Sequence, residues 1–106
     1  MLKFMVVLFK RPDMNGDEFR RYLEDVHGPL AQKLPGLRHY RQNFVAHDPK
    51  REHPGWDGIV ELDFDNWDAM EAAWASPEGV ASDADLPKFL DLSRTSWSVV
   101  EEVTVR

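Results

Sequence analysis

The sequence predicts an α+β fold with a four-stranded antiparallel sheet and helices on one face of that sheet. The chain has 106 residues, which is enough for a single domain over residues 1–106 with one hydrophobic core. Apolar residues recur along it with the periods of strand, helix, strand, strand, helical segment and strand, in that order. This order is the split βαβ, ferredoxin-like pattern, β-α-β-β-α-β.

The first strand is predicted over Leu2–Lys10, a nearly continuous apolar run that Arg11-Pro12-Asp13 ends. Its alternate positions are apolar on both faces, which is typical of a strand that is covered on both sides. The helices of this fold cover only one face of the sheet. We therefore expect a second copy of the chain on the other face, in a homodimer packed sheet against sheet.

The first helix is predicted to begin at Asn15, which can form a variant of the capping box with Glu18. Pro29 has no N–H to donate to the preceding turn, so the helix should kink or restart near Gly28 and then run to about Lys33. Apolar residues on one helical face, with a histidine among them, are Phe19, Tyr22, Leu23, Val26, His27 and Leu30.

The second strand is predicted over Arg38–Val45 and the third over Gly58–Phe64, with an exposed, breaker-rich loop between them. Glu61 should point away from the helices, where a role in the dimer interface is more typical than catalysis. The residues expected on the face that the helices cover are Arg38, Tyr40, Gln42, Phe44, Val60, Leu62 and Phe64.

A second helix is predicted after Asp65 as its cap, and Ser76-Pro77 should begin a further short turn. Another short helix is expected before the last strand, with Asp83 or Asp85 as its cap, and the last strand itself over Trp97–Val105. The apolar residues of these segments are Trp67, Met70 and Trp74, followed by Leu86, Phe89 and Leu90.

The composition excludes several classes of protein. A net charge of −6 argues against a nucleic-acid partner, because phosphate binding needs a basic face. The chain has no cysteine, so it has no disulfide, thiolate metal site or cysteine nucleophile. The apolar first strand is too short to span a membrane, and we expect a cytoplasmic protein without membrane contact. The four histidines lack paired ligand spacing and no nucleotide-binding motif occurs, so we expect no metal and no cofactor.

His27 and Tyr40 are the candidates for chemistry, and each has two interpretations. His27 can be a partly buried side chain that binds a carbonyl freed by the Pro29 break, or a general acid or base, because imidazole titrates near neutrality. Tyr40 can be ordinary core with its hydroxyl at the edge, or a group that binds a carbonyl or phenol oxygen opposite His27. Aromatic residues that can line an apolar pocket, or simply form core, are Phe64, Trp67, Trp74 and Phe89.

The chain resembles the EthD-like family of the dimeric α/β-barrel superfamily. The resemblance covers most of the chain. It is carried by Phe19-x-x-Tyr22, His27-x-Pro29-Leu30, Pro35-Gly36-Leu37 and Tyr40-x-Gln42-Asn43. Weaker matches are Gly58-Ile59-x-Glu61-Leu62-x-Phe64, Trp74-x-Ser76 and the Asp83–Asp91 segment with Phe89.

The resemblance implies a ferredoxin-like dimer with a pocket between the sheet and the helices of each protomer. Relatives take part in ether degradation beside an oxidising system, and others are similar to cofactor-free enzymes that act on lactones, polyketides or aromatic acids. By resemblance, His27 is the acid–base residue and Tyr40 lines the pocket. Relatives of the methylmuconolactone isomerase type place a cysteine where this chain has Leu62, and the heme-degrading branch fits poorly because no Asn–His–Trp arrangement is found.

Two hypotheses of function follow. The first is a small cofactor-independent enzyme of catabolic or secondary metabolism, in which His27 moves a proton on an apolar, oxygenated small molecule and Tyr40 orients an oxygen. The reaction can be isomerisation, cyclisation, decarboxylation or oxygenation. The second is a non-catalytic small-molecule binder or accessory protein of an oxidising, ether-degrading system. The expected substrate contacts are Gln42, Leu62, Phe64, Trp74 and Phe89.

Overall fold

A computed structural model of the protein describes all 106 residues and contains one four-stranded antiparallel sheet. Numbered in chain order, the strands lie in the sheet as second, third, first and fourth, and the two middle strands are rich in apolar residues. This arrangement confirms the predicted ferredoxin-like α+β fold. The strands are β1 (Leu2–Leu8), β2 (His39–Phe44), β3 (Gly58–Phe64) and β4 (Ser96–Glu101).

The helices lie against one face of the sheet. The pairing register places Phe4 opposite both Leu62 and Val99, and all three pack in the core beneath the helices. None of the helices is long and apolar enough to cross a membrane. The helical segments are α1 (Gly16–Tyr22), a π-helical turn (Leu23–His27), α2 (Gly28–Ala31), α3 (Trp67–Ala75), α4 (Pro77–Asp85) and a 3₁₀ turn (Leu86–Lys88).

The first helix begins with the predicted capping box. The Asn15 side chain accepts a hydrogen bond from the Glu18 N–H at 2.8 Å, and the Glu18 carboxylate accepts one from the Asn15 N–H at 3.0 Å. These bonds pair backbone donors that would otherwise have no partner in the first turn. The helix ends at Ala31, two residues before the predicted Lys33.

The expected break before Pro29 takes the form of the π turn, which carries one extra residue. Because that insertion shifts the later side chains around the helix axis, Val26 does not face the core. The prediction that it does is wrong. Val26 is 44% exposed, whereas His27 is 7% exposed. The residues that do face the core in this region are Phe19, Leu23, His27, Ala31 and Leu34.

Two predictions for the second helix are wrong in detail. Asn66, not Asp65, caps α3 by accepting from the Ala69 N–H at 2.8 Å, while the Asp65 carboxylate pairs with Arg38. Trp67 is the first residue of α3 and is 55% exposed, so it does not lie on the core stripe with Met70.

Ser76 caps α4 as predicted, but the segment is a nine-residue helix rather than a short turn. The short helix that follows is the 3₁₀ turn, and no side chain caps it. Asp85 cannot serve as that cap because its carboxylate bonds to other side chains. Phe89 and Leu90 follow the turn and are buried.

The remaining differences between the predicted and the observed elements are at the ends of the strands. β1 stops at Leu8, and Lys10 forms an isolated bridge with Leu90. The second strand is one residue shorter at each end than predicted, and the third matches its predicted bounds. β4 begins one residue before Trp97 and ends at Glu101, so residues 102–106 lie outside the sheet.

The second face of the sheet has no helix on it. Lys3 lies there and is 7% exposed, and its Nζ donates to Glu61 at 2.7 Å and to Glu102 at 2.8 Å, which compensates the burial of its charge. Glu61 therefore points away from the helices, as predicted. Half-buried apolar side chains on the same face are Met5, Val7, Ile59 and Val100.

Candidate functional site

A cavity of about 290 Å³ lies between the helices and the sheet. Its wall is mostly apolar, since 15 of its 20 lining residues are hydrophobic. Both candidate residues for chemistry, His27 and Tyr40, line it. Apolar side chains that contribute to the wall include Phe4, Val6, Leu62, Trp74, Phe89 and Trp97.

His27 is held from behind by a carboxylate of α4. Its Nδ1 lies 3.0 Å from Oδ2 of Asp85, and the two residues are 7% and 5% exposed. The His27 ring also packs on Phe89, with 4.9 Å between ring centroids. One hydrogen bond and one aromatic contact therefore fix both the position and the tilt of the imidazole.

Asp85 is itself held by a second donor. The Tyr22 hydroxyl donates to Oδ1 of Asp85 at 2.7 Å, and the Tyr22 ring stacks on Phe89 with 5.0 Å between centroids. Lys88 Nζ lies 3.7 Å from the same carboxylate oxygen on the exposed side. Each oxygen of the buried carboxylate thus has a hydrogen-bond donor, as a buried charge requires.

The directions of the pKa shifts of His27 and Asp85 indicate which of the two groups carries a proton. Burial raises the pKa of the Asp85 carboxyl, but the hydrogen bonds from Tyr22 and His27 outweigh it, so this pKa lies below its ordinary value. Burial lowers the pKa of His27 despite the Asp85 hydrogen bond. Burial and the Asp85 hydrogen bond together raise the pKa of Tyr22 to about 12. At neutral pH, Asp85 is therefore a carboxylate, and His27 is neutral with its proton on Nδ1.

Nε2 of His27 is consequently the basic atom of the ring. No side chain or backbone group of the protein hydrogen-bonds to it. Nor is it fully buried, because the only fully buried side-chain polar atom without a partner is Oδ1 of Asp63. Nε2 therefore remains accessible to a molecule in the cavity. A neutral imidazole with a fixed tautomer and an accessible nitrogen can act as a general base.

Tyr40 lines the cavity from β2, and its hydroxyl accepts a hydrogen bond at 2.9 Å from Nε2 of Gln42, a residue outside the cavity wall. Burial raises the pKa of Tyr40, which keeps its phenol protonated at neutral pH. Since the hydroxyl uses an acceptor position for Gln42, its own proton is free for an oxygen of a ligand.

Gln42 also joins the strand to the π turn. Its Nε2 donates to the Leu23 carbonyl at 2.9 Å, and the same carbonyl accepts from the Gly28 N–H. A Cβ at Gly28 would lie 2.9 Å from both Gln42 Nε2 and the Leu23 oxygen. Glycine at this position is therefore required for the close approach of Gln42, which in turn supports the turn that carries His27.

The structure brings together five of the seven predicted site residues around the cavity: His27, Tyr40, Leu62, Trp74 and Phe89. The other two lie outside its wall. Gln42 binds Tyr40 and the π turn, and Phe64 is fully buried against Trp74, with 5.7 Å between ring centroids.

Asp85 is the site residue that sequence reasoning missed, since we expected it to be a helix cap. One signal pointed to it: an acidic residue on a segment whose neighbouring apolar residues, Leu86 and Phe89, were expected in the core. The pattern did not indicate that its partner would be His27. No three His, Asp or Glu side chains lie close enough together to hold a metal ion.

A model of the EthD domain matches residues 11–93 of the chain. The chain belongs to the EthD family. This confirms the resemblance inferred from the His27-x-Pro29-Leu30 element and the segments around it. The matched range contains every residue of the candidate site described above except those of the first and last strands. A search of curated proteins found no match.

Solved structures agree with an EthD domain. The chain is similar to an ethyl tert-butyl ether D (EthD) family protein from Bacillus halodurans, with 25% identity and a TM-score of 0.80 over 97% of this chain and 100% of that one. It is also similar to a dimeric ferredoxin-like protein of unknown function from Bacteroides fragilis, with 18% identity and a TM-score of 0.70 over 95% of both chains. A third similar structure is SnoaB, a cofactor-independent oxygenase from Streptomyces nogalater, with 10% identity and a TM-score of 0.67 over 98% of this chain and 94% of that one.

Proposed function

We propose that this EthD protein is a small cofactor-independent enzyme that transfers a proton on an apolar, oxygenated small molecule, with His27 as the general base. The observation that carries the proposal is the 3.0 Å contact between Nδ1 of His27 and the buried Asp85 carboxylate, beside an apolar cavity. This contact leaves Nε2 as the basic atom of a ring that lines the cavity. An ordinary core histidine has no need of an accessible, unpaired nitrogen.

The step that this geometry supports is removal of a proton next to a carbonyl. Nε2 of His27 takes the proton, and the electron pair moves onto the carbonyl oxygen as an enolate. The Asp85 carboxylate stabilises the imidazolium that forms. The Tyr40 hydroxyl donates to the enolate oxygen, in the role of an oxyanion donor.

The fate of the enolate determines the reaction class. Return of the proton from His27 to a different atom gives isomerisation, and attack of the enolate on a second carbonyl gives cyclisation. Reaction of the enolate with dioxygen from solution gives oxygenation. Decarboxylation would start from an anionic carboxylate, and it fits this apolar cavity least because no lysine or arginine lines it. SnoaB is a cofactor-independent oxygenase, and oxygenation is one of these reaction classes. At 10% identity, its similarity to this chain extends to the fold alone.

The proposal includes a homodimer through the open face of the sheet. Half-buried apolar side chains on that face, such as Met5 and Ile59, have no cover within the chain. One buried oxygen of Asp63, Oδ1, has no hydrogen-bond partner in the chain. A second copy packed on this face supplies both apolar cover and donors. The dimeric ferredoxin-like protein from Bacteroides fragilis supports the same assembly.

The Asp85 contact also supports a second candidate function, a non-catalytic binder or an accessory protein of an oxidising system. In that case the bonds from His27 and Tyr22 to Asp85 simply join the first helical region to α4. The apolar cavity would hold a ligand without changing it. The two candidates differ in one measurable property, which is whether the bound molecule loses a proton.

Hydrogen–deuterium exchange tests the proposal. A panel of neutral enolisable ketones, such as 2-tetralone, is incubated with the protein in D₂O, and deuterium at the carbon next to the carbonyl is followed by NMR. Binding is measured in parallel by calorimetry. The enzyme hypothesis predicts accelerated exchange for at least one ketone that binds. Ketones that bind while exchanging only at the buffer rate support the non-catalytic binder instead.

A further inference from the structure

We infer that the cavity selects a neutral molecule of one or two rings that carries a carbonyl or phenol oxygen, and that it rejects carboxylates of the same shape. The inference rests on the proposed function, because it concerns the ligand of the same cavity. It is drawn from the charges around the cavity wall and from the cavity's size.

No lysine or arginine lines the cavity. Its ionisable lining residues are His27, Tyr40 and Asp83. Asp83 is an exposed residue of α4, and the Asp85 carboxylate lies directly behind His27. The formal charges of the residues that line the cavity are therefore negative or absent at neutral pH.

Cationic side chains elsewhere in the fold contact other groups. Lys88 lies 3.7 Å from Oδ1 of Asp85, and its side chain is 69% exposed. Lys10 donates to the Met14 carbonyl, and the Arg94 guanidinium stacks over Phe9 at 4.2 Å. Lys3 is paired with two glutamates on the opposite face of the sheet. None of these side chains lines the cavity.

A carboxylate ligand would lose its water on entering this apolar space and would gain no cation in return. It would also lie near two carboxylates of the protein. A neutral ligand loses much less, since it has only one oxygen to pair and the lining residues include hydroxyl donors such as Tyr40. The cavity therefore discriminates between a neutral group and an anionic group on the same ring.

The size of the cavity limits the ligand. An apolar cavity of about 150 Å³ is enough to bind benzene in an engineered protein. The 290 Å³ found here is about twice that volume, which matches one or two fused rings. Trp97 and Leu92, both exposed, also line the cavity and offer apolar contacts where it opens to solvent.

Calorimetry with two ligands of the same shape tests the inference. The probes are 2-naphthamide, which is neutral, and 2-naphthoate, which is an anion at neutral pH. We expect the amide to bind at least about tenfold more tightly, because the carboxylate alone requires a buried countercharge. Equal or tighter binding of 2-naphthoate would overturn the inference. Failure of 2-naphthamide to bind at millimolar concentration would overturn it as well.

A pair of charge reversals identifies the source of the selectivity. Asp83→Lys places a cation at the cavity and should tighten binding of 2-naphthoate several-fold, by a clearly larger factor than any change in the affinity for 2-naphthamide. Glu71→Lys makes the same charge change on an exposed site of α3 that does not line the cavity, and it should change neither affinity. Equal effects of the two variants would show that net charge, not the cavity, selects the ligand.

The binding result separates this inference from the proposed function. Preference for the amide without any exchange of ketone protons would contradict the enzyme hypothesis and leave the ligand class standing. Exchange catalysis on a ketone, combined with tighter binding of 2-naphthoate, would contradict only the ligand class.

Discussion

Nδ1 of His27 lies 3.0 Å from Oδ2 of Asp85, although the two residues are 58 positions apart in the sequence. The contact joins the π turn of the first helical region to the last residue of α4. It holds one tautomer of the imidazole and leaves Nε2 without a hydrogen-bond partner in the protein. Several measurable consequences follow from this one contact and from its surroundings.

The first prediction concerns Asp85→Asn, which keeps the shape of the side chain and removes its charge. Without the carboxylate, neither the tautomer nor the imidazolium of His27 is stabilised. The rate of hydrogen exchange on a ketone that the wild-type protein accepts should fall by about 10- to 100-fold. This is a large part of the rate enhancement of about 10²–10⁴-fold that a general base contributes.

The pH profile separates this role of Asp85 from a structural one. The base must be neutral, so activity falls as the pH drops through the pKa of His27, which burial places below the ordinary value of about 6.5. The Asp85 hydrogen bond opposes that shift. In Asp85→Asn the acid limb of the profile should therefore move to still lower pH. An unmoved limb would assign Asp85 a structural role only.

The second prediction concerns stability against pH. His27 has a lower pKa in the folded state than in the unfolded state, so the unfolded chain binds more protons as the pH falls from about 7 toward 5. The free energy of unfolding should fall over that range. In His27→Gln, this part of the pH dependence should be smaller, as measured by urea denaturation at both ends of the range.

The control for this measurement is His53→Gln, since His53 lies in an exposed loop. Its pH dependence should match that of the wild-type protein. Asp85 affects the free energy of unfolding at lower pH. Because its pKa is lower in the folded state, Asp85 contributes stability that is present above about pH 4 and is lost as the pH falls through its folded-state pKa. A His27→Gln variant with an unchanged slope between about pH 7 and 5 would contradict the burial effect on His27.

The third prediction concerns Gly28. An alanine there would place its Cβ 2.9 Å from both Gln42 Nε2 and the Leu23 oxygen, so Gln42 must move away from the π turn. We expect a loss of about 1–3 kcal/mol in the free energy of unfolding, the usual cost of overpacking. Urea denaturation measures it.

Gly16→Ala is the matched control. Nothing lies within 4 Å of a Cβ at Gly16, the first residue of α1. An alanine at such a site should stabilise the fold by about 0.4–1 kcal/mol, because it restricts the unfolded chain. Equal effects at the two glycines would show that the approach of Gln42 does not depend on Gly28.

The fourth prediction concerns assembly. Light scattering at micromolar concentration should give twice the 12.3 kDa mass of the chain. Ile59→Glu places a charge on the open face of the sheet and should yield a folded monomer. Val80→Glu makes the same kind of change on an exposed site of α4 and should leave the dimer intact. A wild-type monomer at that concentration would contradict the proposed assembly.

Local signals were enough to predict much of the fold. The third strand has its predicted bounds because Gly58 begins it and its alternating apolar residues suit one buried face. The Asn15–Glu18 capping box formed because both partners lie within one helical turn. The pocket between helix and sheet was predicted in the same way, from His27 and Tyr40 on elements that face each other.

The errors have a different physical origin, because they depend on contacts between distant segments. Val26 turned outward because of the π turn, in which the Leu23 carbonyl accepts from both Gly28 and Gln42. That bond from β2 has no signal in the helical sequence. Asp85 was missed as a partner of His27 for the same reason, since only the packing of α4 brings the two together.

The most direct test of the central claim is the exchange rate of a saturating neutral ketone with wild-type protein and with His27→Gln. If His27 is the base, the variant should bind the ketone and exchange its proton about 10²–10⁴-fold more slowly, while His53→Gln keeps the wild-type rate. An exchange rate in His27→Gln equal to that of the wild-type protein would contradict the account and remove His27 from the chemistry.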